Sequence, residues 1–515
     1  MIHDYRKLTA LGVALLLAGC NTPTKQPALT PPVSTVQSEV RVPHMFGDNM
    51  VLQEGATTAI WGWAEDGAVV TVKFCGETVW AQAKDGKWMA QLHNLTPGGP
   101  DTLTISAANT LQFTNVLVGE VWVAGGQSNM EFPLKNSFEA ADDIAAATNS
   151  MIHFMKVPHT RLNAPTNDIR ANWKESSPET VSGISAVAFY FARDLQAKLK
   201  VPIGVIESDW GGTSAESWMD YNYLNANPRW ESEVIKEWTV EESHYQHSLE
   251  SFRQKKRVAQ ESGAEFTNRP PRQPWKPAEL YNGMIAPLIP YSMKGVIWYQ
   301  GENNAGSLER AEQYHQLFPD LIRDWRSQWG ERDFPFLLVQ LAPFMDIQKE
   351  PRESAWASLR EAQLKSTQSL PNVGMAVITD VGLEHNVHPT KKKPVGQRLA
   401  LAALAIAYHQ PIEYSGPIYK TMRKEGMHIV LTFDHVDGGL EARDGDLKGF
   451  AVAGPDEKFH WALANIQGTD KVVVYCPEVR NPVAVRYGWA NYPVVNLWNK
   501  AGLPASPFRT DDFAK

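Results

Sequence analysis

Hydrophobic and polar positions change rhythm twice along the chain. Between residues 39 and 115, short alternating runs such as TTAIWGWA, AVVTVKF and DTLTISA are separated by Gly, Pro, Asp and Asn. Period-two alternation punctuated by turn residues predicts a small antiparallel β-domain. From 116 to 411 the apolar runs VWVAG, IGVIES, KGVIWYQ, PFLLVQL and VGMAVITD alternate with helical stretches such as AVAFYFARDLQAKL and VGQRLALAALAIAY. Strand, helix, strand in repetition predicts a parallel sheet covered on both faces. A polar, charged insertion at about 225–280 interrupts this pattern and leaves through NRPPRQPWKPAELY, a segment expected to form a rim or an oligomer contact. From 412 to 515 short β-like runs return (MHIVLTF, DKVVVYC, AVRYGWA), which predicts a second β-domain.

The first residues follow another logic. Arg6 and Lys7 precede the short apolar run LTALGVALLLAG, which ends at Cys20. A charged start and a brief apolar core are the marks of an export signal too short to remain as a spanning helix. The stretch LLAGC resembles the bacterial lipobox, which places cleavage after residue 20's neighbour Gly19 and a lipid on Cys20; a plain secretory signal is the alternative. No later run of apolar residues is long enough to span, so the expectation is an exported, cell-envelope protein held by lipid alone. Residues 21–38 are rich in Pro, Thr and Ser and read as a flexible tether.

Composition narrows the partners. A net charge of −8 leaves no basic surplus to replace phosphate counterions, which argues against nucleic acid. The remaining cysteines, Cys75 and Cys476, are expected as unpaired thiols, and no CxxC, HExxH or clustered His/Cys spacing points to a metal. Eighteen tryptophans either fill large cores or line a groove where flat faces stack on sugar rings. Trp61, Trp63 and Trp88 fall in the first group, inside the N-terminal β-domain.

Chemistry gathers where the strands end. In open parallel sheets, sites lie beyond the carboxyl ends of the strands. There the chain places EVWVAGGQSNMEFPL, DWGGTSAESW, WYQGENNAG and EHNVHPTKKKPVGQRLA. Ser128 sits in a tight strand-to-helix turn, but a hydroxyl is a poor nucleophile until a base takes its proton. His388, in the loop before a helix, is the leading base. A glycine N–H and an amide side chain from the middle two segments are candidate donors to a developing oxyanion.

GGQSNMEFPL, DWGGTSAESW, IWYQGENNAG and HPTKKKPVGQRLA resemble the successive motifs of the sialate O-acetylesterase family, a branch of the SGNH hydrolases. The similarity runs from VPHMFGDNMVLQ near residue 40 to GLPASPFRTDDF at the end. It implies a flavodoxin-like α/β catalytic domain with accessory antiparallel β-domains, and cofactor-free hydrolysis of acetyl esters on sugars. It also implies Ser128 as nucleophile, His388 as base, and Gly212 and Asn304 as oxyanion donors, Asn304 rather than Asn303 matching the family's Gly-Glu-Ser-Asn pattern. The neighbouring polar residues Gln127, Asn129, Gln300 and Glu302 are expected to contact substrate. The carboxylate that many SGNH enzymes carry three residues before the histidine is here His385. Asp380, Glu384 or a backbone carbonyl remain as its replacement. Substrates other than sialic acid (acetylated xylan, pectin or peptidoglycan) fit the same motifs, and a non-catalytic carbohydrate-binding surface protein is the reading of a different class.

Overall fold

The computed structural model describes residues 34, 36–330 and 333–513. The expected signal, Cys20 and most of the tether lie outside the described residues. The packed fold begins slightly before residue 39. Val36 lies against the main core, and Val69 N–H donates to Ser34 Oγ at 3.3 Å.

One strand, Thr110–Gly126, belongs to two domains. Its first half pairs antiparallel with Gly98–Ser106 of the N-terminal β-domain. Its second half pairs in parallel with Ile203–Asp209 on one side and Gly295–Tyr299 on the other. The boundary expected at 115/116 therefore falls inside a continuous strand, because TLQFTNVLVGEVWVAGG holds nothing that ends a ladder.

The catalytic sheet runs Val373–Ala376, Phe336–Val339, Gly295–Tyr299, Thr110–Gly126, Ile203–Asp209, Asn149–Lys156, with Trp173–Ser176 antiparallel at the edge. Counted along the chain, the parallel strands lie in the order second, third, first, fourth, fifth, sixth. Connections leave the first strand in opposite directions, so the crevice of this doubly wound sheet opens at that strand's carboxyl end.

Side-chain alternation explains the layers. Val121 and Val123 of the central strand join the core that holds Leu317, Leu321, Trp325 and Leu359 of helices Leu308–Trp329 and Ala355–Ser369. Trp122 and Ala124 face the opposite core, with Phe191 and Leu195 of Ala186–Leu199 and Leu399 and Ala403 of Lys393–Ile406. Successive strand residues point to opposite faces, so a sheet buried on both sides needs an unbroken apolar run.

The C-terminal β-domain has its own core around Leu431, Phe433, Val472, Tyr487 and Phe508. Most tryptophans are structural: Trp122, Trp218, Trp230, Trp298 and Trp325 are fully buried, and Trp88 fills the N-terminal domain. Trp61 packs edge-on against Phe46 at 4.7 Å. Cys75, exposed, and Cys476, buried, are both free. In the insertion, helix Glu237–Ser262 buries none of its residues, while the exit segment after it returns to the catalytic crevice.

Candidate active site

The central strand cannot continue past Gly126. A Cβ there would lie 2.2 Å from the Tyr299 carbonyl oxygen, and one on Gly125 would lie 2.9 Å from the Trp298 ring. Gly126 also takes a φ of 135°, which L side chains rarely adopt. The chain turns instead, Gln127 N–H donates to Tyr299 O at 2.9 Å, and Ser128 opens the helical turn Ser128–Glu131. The hydroxyl thus leaves a rigid strand end.

His388 arrives from the other side of the crevice. Its backbone N–H donates to Asn386 Oδ1 at 2.9 Å, and the following segment is held by Phe138 N–H and Ser137 Oγ, which both donate to Thr390 O. Nε2 lies 2.8 Å from Ser128 Oγ. Burial, and then the positive charge of Lys392, hold the imidazole pKa below its ordinary value of 6.5. The ring is therefore kept neutral, the form that accepts a proton. Both side chains line an open cleft of about 380 Å³ with Glu131, Phe132, Lys135 and Lys156.

The expected carboxylate does not reach this histidine. Among the described residues no Asp or Glu forms an ion pair or hydrogen bond with His388. Asp380 gives both oxygens to Arg398, at 2.6 and 2.8 Å, and Arg398 also donates to Val377 O. Its carboxylate ties the strand end to helix Lys393–Ile406, which corrects its assignment as the triad acid. Glu384 accepts from Ile347 N–H at 3.0 Å and lies toward a neighbouring loop. With Asp346 and His385 it forms a surface group close enough to hold an ion, exposed at Asp346 and His385. The geometry is that of a Ser–His dyad.

The oxyanion assignments divide. Gly211 packs directly on the nucleophile, since a Cβ there would lie 3.2 Å from Ser128 Cβ. At Gly212, with φ 74°, the carbonyl is fixed by Trp275 Nε1 at 2.6 Å, Asn303 Nδ2 at 3.0 Å and Arg272 Nη2 at 3.3 Å. Its N–H meets no protein acceptor among the described residues. Asn304, by contrast, is fully buried: Nδ2 donates to Glu216 Oε2 at 3.0 Å, and Oδ1 accepts from Ala215 N–H and Gln300 Nε2. It braces the loop and cannot meet substrate. Half-buried Asn303, one residue earlier, is the amide beside Gly212.

Three of the four expected substrate contacts are also interior, and the fourth, Glu302, is partly exposed and bound to Asn129. Gln300 is fully buried between Thr213 O, Asn304 and the Tyr314 hydroxyl. Gln127, 3% exposed, lies within reach of the Gly301 and Asn303 N–H groups, the Thr213 carbonyl and Glu302. Asn129 donates through Nδ2 to Glu302 Oε1 at 2.6 Å and to Val387 O at 2.9 Å, and its Oδ1 accepts from Lys392 Nζ. These amides hold four strand-end loops in register, and none of them lines the cleft.

Lys392 was invisible in the sequence, where KKK reads as a solvated run. It is fully buried, with its ammonium over the rings of Phe132 at 4.9 Å and Tyr299 at 5.2 Å. Burial drives both ionisable members of the Lys392–Asn129–Glu302 network toward neutrality: the ammonium is pushed down to about 7 and the Glu302 carboxyl is pushed up. A second group missed by sequence reading lies under the cleft. Lys156 bridges to buried Glu207, and buried Asp209, whose carboxyl has no hydrogen-bond partner among the described residues, has its pKa pushed well up by burial and then by its neighbour Glu207. Acids at alternate positions of the apolar run IGVIESD were the signal for it.

A serine hydroxyl and an imidazole in contact at the strand ends of a doubly wound sheet, with accessory antiparallel β-domains, place the protein in the α/β class with an SGNH-like core. The comparisons with known proteins give its family. Residues 270–405 match the family of carbohydrate esterases described as sialic acid-specific acetylesterases. Rat sialate O-acetylesterase is 30% identical over 513 residues, covering 89% of this chain and 92% of its own. The human enzyme is 29% identical over 90% of this chain and 91% of its own. The crystal structure of a carbohydrate acetylesterase from Xanthomonas citri superposes with a TM-score of 0.79 at 38% identity, covering 92% of this chain and all of that one. The chain belongs to the sialate O-acetylesterase family.

Two substitutions test this geometry. Asp380→Asn is expected to lower the melting temperature while leaving kcat within tenfold of wild type, since it loosens the clamp to Arg398 and touches no reacting atom. A drop in kcat of a thousandfold or more without destabilisation would restore Asp380 as the acid. Lys392→Met is expected to move the acid limb of the kcat/KM profile upward. The limb tracks the neutral fraction of His388, whose pKa is depressed partly by the Lys392 charge, so losing that charge raises the pKa toward 6.5. Breaking a buried pair costs about 3–5 kcal/mol. Lys392→Met with Glu302→Gln should recover part of the lost stability while keeping the shifted limb.

Proposed function

We propose that the protein is an exported serine esterase that removes O-acetyl groups from carbohydrates, O-acetylated sialic acid first among them. The observation that carries this reading is the 2.8 Å contact between Ser128 Oγ and His388 Nε2 at the mouth of an open cleft. The substrate rests on the family, whose rat and human members bear the name sialate O-acetylesterase.

In this mechanism Ser128 Oγ attacks the acetyl carbonyl carbon as its proton passes to His388 Nε2. The negative charge that forms on the carbonyl oxygen is met by the N–H groups of Ser128 and Gly212 and the amide of Asn303. The tetrahedral intermediate collapses, the bond to the sugar oxygen breaks, and His388 returns its proton to that oxygen. Water, deprotonated by the same nitrogen, attacks the acetyl-serine, and collapse releases acetate and restores the hydroxyl. No cofactor enters the proton balance.

The export signal gives the reading its location: lipid on Cys20 anchors the protein in the cell envelope. Among the described residues no helix is long and apolar enough to cross a membrane.

Acetate release from acetylated sialic acid, xylan, pectin and peptidoglycan fragments, compared with 4-nitrophenyl acetate, tests the substrate. Hydrolysis of the aryl ester with none of the sugars would overturn the assignment to carbohydrates. Ser128→Ala is expected to abolish all of these activities. Asn303→Ala should lower kcat about 10²–10³-fold with a smaller change in KM, as for a donor used mainly in the transition state. Asn304→Ala should instead show lowered thermal stability; the reverse pattern would return the oxyanion role to Asn304. Cys20→Ala is expected to move the protein from the membrane to the soluble fraction, and continued membrane recovery of that variant would remove the anchor.

A further inference from the structure

A second cleft lies between the catalytic loops and the C-terminal β-domain. It encloses about 210 Å³ and is lined by Ile347 and Gln348 on one side and Trp461, Trp489, Tyr492 and Val494 on the other. Large apolar side chains are unusually open here: Ile347 is 46%, Trp461 43% and Val494 47% exposed. A contiguous open apolar patch on a folded protein marks a binding surface.

The walls are rigid. Trp461 is pinned by its indole N–H to Lys349 O at 2.8 Å, so the ring edge is occupied and a face is free. Trp489 packs against the guanidinium groups of Arg486 and Arg509, whose carbons lie 5.1 and 5.0 Å from its ring centroid. Behind them, fully buried Arg360 donates to the carbonyls of Ala490 and Asn491 from the β-domain and of Leu341 and Ala342 from the catalytic domain. Such a pocket is set before a ligand arrives, which lowers the ordering cost of binding.

Its chemistry points to one kind of occupant. Both polar atoms of the Gln348 amide are shielded from water and bonded to nothing among the described residues. An amide left unpaired in this way carries a desolvation penalty, which a ligand supplying both a donor and an acceptor would recover. Flat apolar faces beside a donor–acceptor amide match a pyranose ring, whose C–H face stacks and whose hydroxyls both give and take hydrogen bonds. The pocket is also continuous with the catalytic loop. Ile347 N–H donates to Glu384 at 3.0 Å, and the Tyr492 hydroxyl approaches Gly382 O at 3.5 Å. His388 follows Gly382 by six residues, a reach of at most about 20 Å of chain.

We propose that this cleft is a distal sugar-binding subsite, which takes a neutral pyranose of the same glycan whose acetyl ester is presented to Ser128. The assignment of one glycan to both places rests on the esterase reading above. The subsite makes the enzyme select oligosaccharides over free acetylated monosaccharides, with Trp461 as the stacking platform.

Binding and kinetics test it separately. Ser128→Ala protein is titrated with lactose, xylotriose and cellotriose while saturation transfer from aromatic protons to the sugar is followed by NMR. At least one sugar should take up saturation, and the added Trp461→Ala change should abolish it. Trp461 is half exposed, so this change leaves the core intact; unchanged thermal melting confirms it, and Gln348→Ala serves if it does not. In otherwise wild-type enzyme, Trp461→Ala should raise KM at least fivefold for acetylated sialyllactose and leave kcat/KM for 4-nitrophenyl acetate within twofold. Absence of saturation from all three sugars, or transfer that survives both variants, overturns the subsite. A change in oligomeric state of Trp461→Ala by light scattering, with sugar kinetics unaltered, overturns it in favour of a contact between copies. Wild-type enzyme that spares acetylated sialyllactose bears on the esterase reading instead, because the binding titration needs no turnover.

Discussion

Everything at the reacting centre follows from the absence of space at Gly126. Its backbone packs so closely on Tyr299 that a single added carbon would fall at 2.2 Å from a carbonyl oxygen. Two adjacent parallel strands thus meet with no side chain between them. The central strand must turn at once, and the turn puts a hydroxyl at the strand order's reversal point. Gly211 repeats the device on the next strand, pressing bare backbone against the Ser128 side chain. Close approach of three loops leaves a carbonyl, an N–H and a hydroxyl with fixed directions, and preorganised dipoles of this kind are what stabilise charge during acyl transfer.

Strand ends were legible in the sequence, and direction within the loops was not. Apolar runs fixed the sheet, and the polar segments following them named Ser128, His388 and Gly212 at the same edge. Inside each loop, however, a residue faces cleft or core according to partners far away in the chain. Asn304 turns inward because Glu216, 88 positions distant, accepts its amide. Asn303 then takes the place beside Gly212. Asp380 is drawn off by Arg398, one helix later. Spacing rules carry no information on such competition, so the motif reading shifted by one residue at the amide and failed at the acid. Lys392 shows the same limit from the other side. Three consecutive lysines suggest solvent, but the middle one, at the N-cap of helix Lys393–Ile406, points into the interior.

The insertion was expected as a rim or an oligomer contact, and its long helix buries none of its residues. Its exit reaches the catalytic loops. Arg272 and Trp275 both donate to the Gly212 carbonyl, and the Trp275 ring stands edge-on to Trp210, itself stacked on His159 at 4.2 Å. A carbonyl held by three donors fixes the plane of the Gly212–Thr213 peptide, directly after the Gly212 N–H, so residues some sixty positions downstream of the glycine brace this loop.

The charge arrangement around His388 has a cost and a benefit that together explain a dyad. A triad carboxylate raises the imidazole pKa and stabilises its protonated form in the transition state. Here the nearby charge is a buried lysine, which acts in the opposite sense. The imidazolium is disfavoured, so the base is weaker than in a triad. Its neutral form also persists to lower pH than that of an unperturbed imidazole. An acetyl ester has a better leaving group than an amide and asks less of the acid that protonates it. The lysine is itself poised near neutrality, its pKa pushed down to about 7 by burial against the pull of Glu302. Loss of the Lys392 proton as pH rises through 7 removes the field that weakens His388, so the base strengthens in the range where its own protonation no longer limits it.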